Sequence, residues 1–224
     1  MKKQFSVLFC CYAVMTNKWQ KQSFLCIICR MRVIAGIKRG MKLAGPKNEA
    51  SRPILDRVKE SLFSVLYKYG LPEGKMAADL FSGVGSLGIE ALSRGAEFVT
   101  FVEKDNAVIA ILKANIEKAG FVKESKVIRA NAFKVGAPVD FDGKKYYLVF
   151  VDPPYSLTND AGEGSLLSGL LTLLPEQLAP EGIVVVRTYK RTELLDRYSR
   201  LEVIERRKWG NMTITILRNR IDDE

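Results

Sequence analysis

The chain has 224 residues, of which 47% are hydrophobic and 27% charged, and its formal net charge is +10 with no histidine. This composition indicates a globular protein with one sizeable domain, and it excludes a membrane-spanning helix because no apolar stretch approaches the roughly 20 residues required. The basic excess suits a polyanionic partner without requiring one. We expect a monomeric, cytoplasmic protein with no membrane partner.

Residues 1–30 differ from the rest of the chain: they carry five basic residues, no acidic residue and all four cysteines, Cys10, Cys11, Cys26 and Cys29. The spacing is poor for zinc because histidine is absent, so we predict no metal site. Lys2 and Lys3 before the apolar run 5–15 resemble a signal peptide without a clear cleavage site. We favour a third interpretation, in which translation starts at Met31 and residues 1–30 are an uncertain extension.

Residues 31–50 are predicted to form a β-hairpin extension with a basic tip at Lys38-Arg39-Gly40, because apolar and polar residues alternate around it. Residues 51–224 are predicted to form the main domain. It begins with a helix over 56–69, in which apolar residues recur at helical spacing and Asp56 is the expected N-cap.

Strands and helices alternate from residue 76 onward. Strands are predicted at 76–81, 98–103, 126–130, 146–151 and 183–188, helices at 86–94, 106–119 and 164–178, and a terminal hairpin at 201–208 and 212–217. The alternation predicts an α/β fold with a seven-stranded, mostly parallel sheet whose last strand is antiparallel. The inward-facing stripe of helix 106–119 is predicted to be Val108, Ile111, Leu112 and Ile116.

A glycine-rich loop, Asp79–Gly88, lies between the first predicted strand and its helix and contains G-x-G-x-x-G. Glu103 stands twenty residues after Gly83, at the end of the next strand, where a carboxylate accepts hydrogen bonds from ribose hydroxyls. These two features fit either NAD or S-adenosylmethionine. Asp79 would repel a pyrophosphate and attract a sulfonium cofactor with an amino group, so S-adenosylmethionine is favoured. The candidate cofactor contacts are Asp79, Phe81, Ser82, Gly83, Gly85, Ser86, Glu103, Asn131 and Ala132.

The tetrad Asp152-Pro153-Pro154-Tyr155 follows directly on the apolar run 146–151. Double proline ends a strand, so these residues are predicted to lie at its carboxyl end, where ligands bind in open α/β sheets. The Asp152 carboxylate and the Pro153 carbonyl can each accept one N–H of a planar amine, and Tyr155 can stack on its ring. We therefore predict Asp152, Pro153, Pro154 and Tyr155 as the catalytic residues, with the product proton passing to Asp152 or to water.

Four basic residues are candidates for binding a nucleic-acid backbone. Arg52 and Arg57 flank the start of the first helix, and Lys38 and Arg39 lie on the predicted hairpin. Two arginines near a helix are more often a solvated face, and the hairpin residues could likewise be exposed charges with no ligand.

With these motifs assembled, the chain from Met31 onward resembles the bacterial 16S rRNA guanine-N2 methyltransferases of the RsmD type. The resemblance lies in Arg32–Gly36, Arg52–Phe63, Asp79–Ala96 and Asp152–Tyr155. It implies a class I methyltransferase fold, Rossmann-like, that transfers a methyl group from S-adenosylmethionine to the exocyclic amine of a guanine. It also implies a small-subunit rRNA substrate within a ribosomal particle or assembly intermediate. The chain departs from the family's usual residues at Ile54 and Asn131, where threonine and aspartate are common.

Three other functions fit parts of the pattern. Another amino-methyltransferase, acting on adenine N6 or on protein glutamine N5, would use the same tetrad. A non-catalytic RNA-binding assembly factor would not need both motifs intact, and an NAD-dependent oxidoreductase would give Asp152 no role.

Overall fold

The computed structural model describes residues 31–45, 54–139 and 143–220. The predictions for residues 1–30 and for Arg52 lie outside these ranges. Within them, no helix is long and apolar enough to cross a membrane.

A single sheet contains all the named strands of the described chain: β1 (Met76–Leu80), β2 (Phe98–Glu103), β3 (Ser125–Arg129), β4 (Tyr146–Val151), β5 (Leu178–Tyr189), β6 (Arg197–Tyr198), β7 (Leu201–Trp209) and β8 (Met212–Asn219). Their order is β3-β2-β1-β4-β5-β8-β7-β6. Strands β1 to β5 are parallel, and β8 joins β5 antiparallel. The seven predicted strands and the antiparallel terminal hairpin are confirmed. The eighth strand, β6, has only two residues and gave no sequence pattern.

The four predicted helices form: α1 (Asp56–Tyr67) before the sheet, and α2 (Ser86–Ser93), α3 (Asn106–Ala119) and α5 (Leu166–Leu173) between its strands. A short further helix, α4 (Ala132–Val135), was not predicted. Short 3-10 turns form at Tyr155–Leu157 and Leu174–Gln177, so the helix predicted over 164–178 is shorter than expected. Asp56 is the first residue of α1 rather than its N-cap, and its carboxylate accepts from Arg32 Nε at 2.8 Å instead. That N-cap prediction was therefore wrong.

The order in which strands are added to the sheet reverses at β1: β2 and β3 lie on one side of it, and β4 and β5 lie on the other. Strand β1 pairs with β2 on one side and with β4 on the other, both in parallel. The connections leave to opposite sides at this point, and a crevice opens between the carboxyl ends of the two strands. The glycine-rich loop follows β1 and the tetrad follows β4, so both motifs lie at this crevice.

The segment 32–45 folds back on itself and is closed by one antiparallel bridge, Arg32 to Lys42, rather than by a regular pair of strands. Its backbone bonds to neighbouring helices instead. Ala44 and Asn115 on α3 exchange two hydrogen bonds, Ala44 N to Oδ1 at 2.8 Å and Nδ2 to Ala44 O at 2.9 Å. This explains why a polar residue is buried in α3, where the stripe runs through Ile109, Leu112, Asn115, Ile116 and Ala119 rather than Val108 and Ile111.

A buried charge cluster ties the same segment to α2. The Glu90 side chain is fully buried and accepts from the backbone N–H of Ile34 at 2.7 Å and of Ala35 at 3.0 Å. Its carboxylate also pairs with Lys59 Nζ at 3.2 Å and Arg94 Nε at 2.7 Å. Burial lowers the pKa of Lys59, and the adjacent Glu90 carboxylate opposes that shift. One carboxylate thus holds three separate parts of the chain together.

Replacement of Gly36 by alanine is expected to destabilise the protein by about 2–5 kcal/mol. Gly36 has φ +79°, and an added Cβ would lie 1.7 Å from the Ser93 carbonyl oxygen, so backbone has to move. Gly40→Ala is the matched control, because Gly40 has φ +84° but open space around its Cβ position. It should cost only about 1 kcal/mol. Equal losses in denaturant unfolding would show that contact with Ser93 contributes nothing.

Candidate active site

The loop after β1 turns sharply with three residues in the left-handed region of the backbone. Phe81 has φ 59°, Gly83 φ 54° and Gly85 φ 88°. A Cβ on Gly85 would lie 2.6 Å from a Leu112 methyl group, so this glycine is required for the loop to pack on α3. Gly85 is also the N-cap of α2, and the loop therefore delivers the start of that helix to the crevice.

Asp79 is buried at the end of β1, and its Oδ2 accepts from the Gly88 N–H at 2.8 Å. Burial raises the pKa of Asp79 well above its ordinary value; the Gly88 N–H opposes this shift, while the carboxylates of Asp152 and Glu103 add to it. A cationic ligand group beside Asp79 would oppose this shift by stabilising its ionised form. A Cβ on Gly88 would lie 2.3 Å from the Phe101 ring, so the third glycine allows α2 to pack on β2.

Glu103 connects β2 to the glycine-rich loop. Its Oε2 accepts from the Gly83 N–H at 3.0 Å, and its Oε1 accepts from Lys104 N at 2.8 Å and Asp105 N at 3.0 Å. The carboxylate thereby holds the loop beside the end of β2 before any ligand binds. Its contact with ribose hydroxyls stays a prediction.

Ser82 gives the loop an unusual polar group. Its Oγ is buried, and no hydrogen-bond partner for it lies within the described part of the chain. A buried hydroxyl without a partner is costly, so a polar ligand in this loop would relieve it. Ser86, the first residue of α2, is already engaged, since its Oγ lies 3.3 Å from Lys59 Nζ. The loop therefore fits a ligand that carries several hydroxyl or amine groups.

The predicted adenine contacts Asn131 and Ala132 lie at the start of α4. The Asn131 side chain caps that helix by accepting from the Phe133 N–H at 3.1 Å, and Ala132 is buried in the core. The Phe133 ring packs on Phe81 with centroids 4.7 Å apart. Because the Asn131 amide oxygen is used as a cap, its amide nitrogen is the atom left to face a ligand. The adenine contact itself stays a prediction.

The tetrad lies at the carboxyl end of β4, as predicted. Pro153 is buried, Pro154 is exposed and Tyr155 is half-buried at the start of its 3-10 turn. The Leu157 N–H donates to the Pro154 carbonyl at 2.9 Å. None of the backbone hydrogen bonds among the described residues ends on the Pro153 carbonyl.

Arg187 is a site residue that the sequence analysis missed. It lies near the end of β5, and its Nε is 2.5 Å from Asp152 Oδ1. Its guanidinium carbon is 5.9 Å from the centroid of the Tyr155 ring, which also packs on Tyr189 at 5.9 Å. The available signal was a single cation following the apolar run 183–186. Burial raises the pKa of Asp152, and the Arg187 cation opposes that rise.

Two of the predicted nucleic-acid contacts, Lys38 and Arg39, lie away from the tetrad. The Lys38 N–H bonds to Ser93 Oγ at 3.0 Å, at the far end of α2. That helix begins at the glycine-rich loop, near the carboxyl ends of the strands, and runs back for eight residues, or about 12 Å. Lys38 and Arg39 therefore lie toward the amino ends of the strands. Arg57 is exposed on α1, and Arg52 is outside the described residues.

A family model described as Conserved hypothetical protein 95 matches residues 31–218. The chain belongs to this family, which comprises the RsmD-type methyltransferases. The Ribosomal RNA small subunit methyltransferase D of Escherichia coli K12 is 36% identical over 163 residues, which span 71% of this chain and 75% of that protein. A candidate rRNA methyltransferase of Bacillus subtilis is 33% identical over 192 residues, 85% of this chain and all of that protein.

Among solved structures, a candidate methyltransferase from Escherichia coli superposes with a TM-score of 0.70 at 28% identity. The match covers 85% of this chain and 98% of that one. The expectations of an RsmD-type family member, a class I fold and a methyltransferase are therefore confirmed. The individual roles of the site residues stay predictions.

Proposed function

We propose that this RsmD-type protein transfers a methyl group from S-adenosylmethionine to the N2 amine of a guanine in small-subunit rRNA. The observation that carries the proposal is the adjacency of the two motifs. Leu80 and Val151, the last residues of β1 and β4, are directly paired, and the Asp152 N–H lies 3.4 Å from the Leu80 carbonyl. The cofactor loop and the amine acceptors therefore open onto the same crevice.

The residues that would hold the cofactor are those of the loop. The Asp79 carboxylate suits the amino group, the Glu103 carboxylate suits the ribose hydroxyls, and the Ser82 hydroxyl supplies a further polar contact. When bound, S-adenosylmethionine supplies an electrophilic methyl group on a sulfonium. The buried, unpartnered Ser82 hydroxyl is the feature that supports a polar ligand here.

The tetrad would act on the target base by position and charge. An aromatic amine is a weak nucleophile because its lone pair is delocalised into the ring. Acceptance of its two N–H groups by the Asp152 carboxylate and the Pro153 carbonyl favours a pyramidal nitrogen whose lone pair faces the methyl group. Tyr155 stacks on the base, and the proton released after transfer passes to Asp152 or to water.

We further propose that the substrate is presented within a ribosomal particle or assembly intermediate, and that the enzyme is a cytoplasmic monomer. In this proposal residues 51–224 are the methyltransferase domain and residues 31–50 are an extension of it.

The proposal is tested by incubating the protein with methyl-labelled S-adenosylmethionine and small ribosomal subunits from cells that lack this enzyme. The RNA is then digested to nucleosides. Label in N2-methylguanosine is the expected result. Label in N6-methyladenosine, or only in protein, would overturn the guanine-N2 assignment and favour the other amino-methyltransferases.

The rate of methyl transfer is expected to fall at acidic pH with a midpoint above the ordinary range of an aspartate. Burial raises the pKa of Asp152, and its ionised form accepts N–H bonds more strongly than its protonated form, so full activity is present above this pKa and falls as the pH drops through it. Arg187→Met removes the opposing cation and should move the midpoint of kcat/KM to higher pH. Arg187→Lys keeps a cation at this position and should bring the midpoint part of the way back to its original pH.

The pH experiment needs a control for Asp79, since this carboxylate on β1 also has a raised pKa and lies at the same crevice. Cofactor affinity is therefore measured over the same pH range in each variant. An acidic midpoint that is identical in the natural protein and in Arg187→Met would show that the ion pair does not tune Asp152.

A further inference from the structure

Aromatic side chains continue outward from the tetrad across the carboxyl ends of β4 and β5 toward β8 and β7. Tyr155 packs on Tyr189, the last residue of β5. Tyr189 is paired with Met212 at the start of β8, and Met212 is paired with Trp209 at the end of β7. Directly paired residues point to the same face of a sheet, so Tyr189, Met212 and Trp209 form a row beside Tyr155. Tyr189 and Trp209 are only partly buried.

Two exposed cations, Lys190 and Arg191, directly follow Tyr189 beside this row. Lys208 is also exposed, but it precedes Trp209 within β7, so its side chain points to the other face of the sheet. The Lys190 N–H donates to the Asn211 carbonyl at 3.0 Å, which holds the turn after β5 against the turn between β7 and β8. We call Tyr189, Lys190, Arg191 and Trp209 the turn platform.

The cations of the turn platform differ from the other basic residues of the last two long strands. Four arginines of that hairpin are each ion-paired with a carboxylate: Arg206 with Asp196, Arg207 with Glu205, Arg218 with Glu181, and Arg220 with Glu202. No ion pair within the described residues involves Lys190 or Arg191. Their charge is therefore available to an external anion.

Partly exposed aromatic rings beside unpaired cations are suited to single-stranded nucleic acid, since rings stack on bases and cations contact phosphates. The predicted contacts Lys38 and Arg39 lie instead toward the amino ends of the strands, beside Ser93. We propose that the turn platform is the RNA-docking surface that holds the nucleotides flanking the target base. This proposal rests on the proposed function of the site and adds to it the direction in which the RNA strand leaves the crevice.

The test compares Lys190→Ala/Arg191→Ala with the control Lys113→Ala/Lys123→Ala, which removes two exposed cations on and just after α3. Binding to unmethylated small ribosomal subunits is measured between 50 and 200 mM KCl, roughly the range over which such contacts are resolved. The platform variant should bind about tenfold more weakly and lower the slope of log Kd against log salt by about 1.5. Trp209→Ala should weaken binding roughly tenfold without changing this slope.

Cofactor affinity and thermal unfolding are measured in both double variants. If both are unchanged, a loss of binding is not caused by misfolding. If the natural protein methylates the RNA but the two double variants bind with equal affinity and slope, the turn platform is refuted while the proposed function stands. A third outcome is that the platform variant binds the subunit more weakly with an unchanged salt slope, while its binding to naked rRNA is unchanged. The surface would then contact ribosomal protein, and the proposal would be overturned. If the natural protein transfers no methyl group to RNA, both proposals fall.

Discussion

Replacement of Asp152 by alanine is expected to slow methyl transfer by roughly 10³-fold, because an acceptor held in place for the reacting amine is removed. Cofactor affinity should change little, since Asp152 follows β4 whereas the loop that would bind the cofactor follows β1. Single-turnover transfer to unmethylated small subunits measures the first effect, and calorimetric titration with S-adenosylmethionine measures the second. Full activity in Asp152→Ala would refute the amine-holding role.

Two further variants separate charge from hydrogen bonding. Asp152→Asn keeps one side-chain oxygen as an acceptor but loses the negative charge that faces Arg187, and it should retain part of the activity that alanine loses. Glu163→Ala removes an exposed carboxylate in the loop before α5 and should be as active as the natural protein. An asparagine variant as slow as the alanine variant would show that the charge itself is required.

Replacement of Glu90 by alanine is expected to lower the free energy of unfolding by about 3–5 kcal/mol. It leaves Lys59 and Arg94 buried without their common carboxylate and leaves two backbone N–H groups of the segment 32–45 without an acceptor. Urea unfolding followed by circular dichroism measures the change. The melting temperature should fall together with the unfolding midpoint.

Glu97→Ala is the matched control, since Glu97 is an exposed glutamate that lies 3.8 Å from Lys144. Exposed ion pairs contribute little, so this variant should stay within about 1 kcal/mol of the natural protein. A Glu90 variant that is no less stable than the Glu97 variant would mean that the buried cluster does not hold the segment on α2.

The alternation of strands and helices could be predicted from the sequence because it depends on local apolar patterns. Strands β2 and β4 have the predicted bounds, and the glycine-rich loop and tetrad end their strands where expected. Both motifs are contiguous stretches whose geometry follows from glycine and proline. Their positions at the ends of β1 and β4 could therefore be read directly from the order of residues in the chain. Their meeting at one crevice follows from a parallel sheet.

Contacts between distant parts of the chain could not be predicted in the same way. Arg187 is separated by 35 positions from Asp152, and a single cation after an apolar run has no periodicity that names its partner. The same holds for Glu90, which is 56 positions from Ile34. A charged residue in an amphipathic helix is usually solvated, and only the packed structure shows that this one is buried. The N-cap prediction at Asp56 failed for a related reason, since Arg32 competes for its carboxylate.

The hydrogen bonds from Gly83 to Glu103 and from Gly88 to Asp79 have a thermodynamic consequence for the cofactor. They fix the glycine-rich loop through contacts within the protein itself, although glycine backbones otherwise lose the most conformational freedom on becoming ordered. That entropy is lost when the chain folds and not when the ligand arrives. A larger part of the contact free energy then appears as affinity. The loop is in this sense a preorganised receptor, and its stiffness is set by the same two carboxylates that are expected to recognise the ligand.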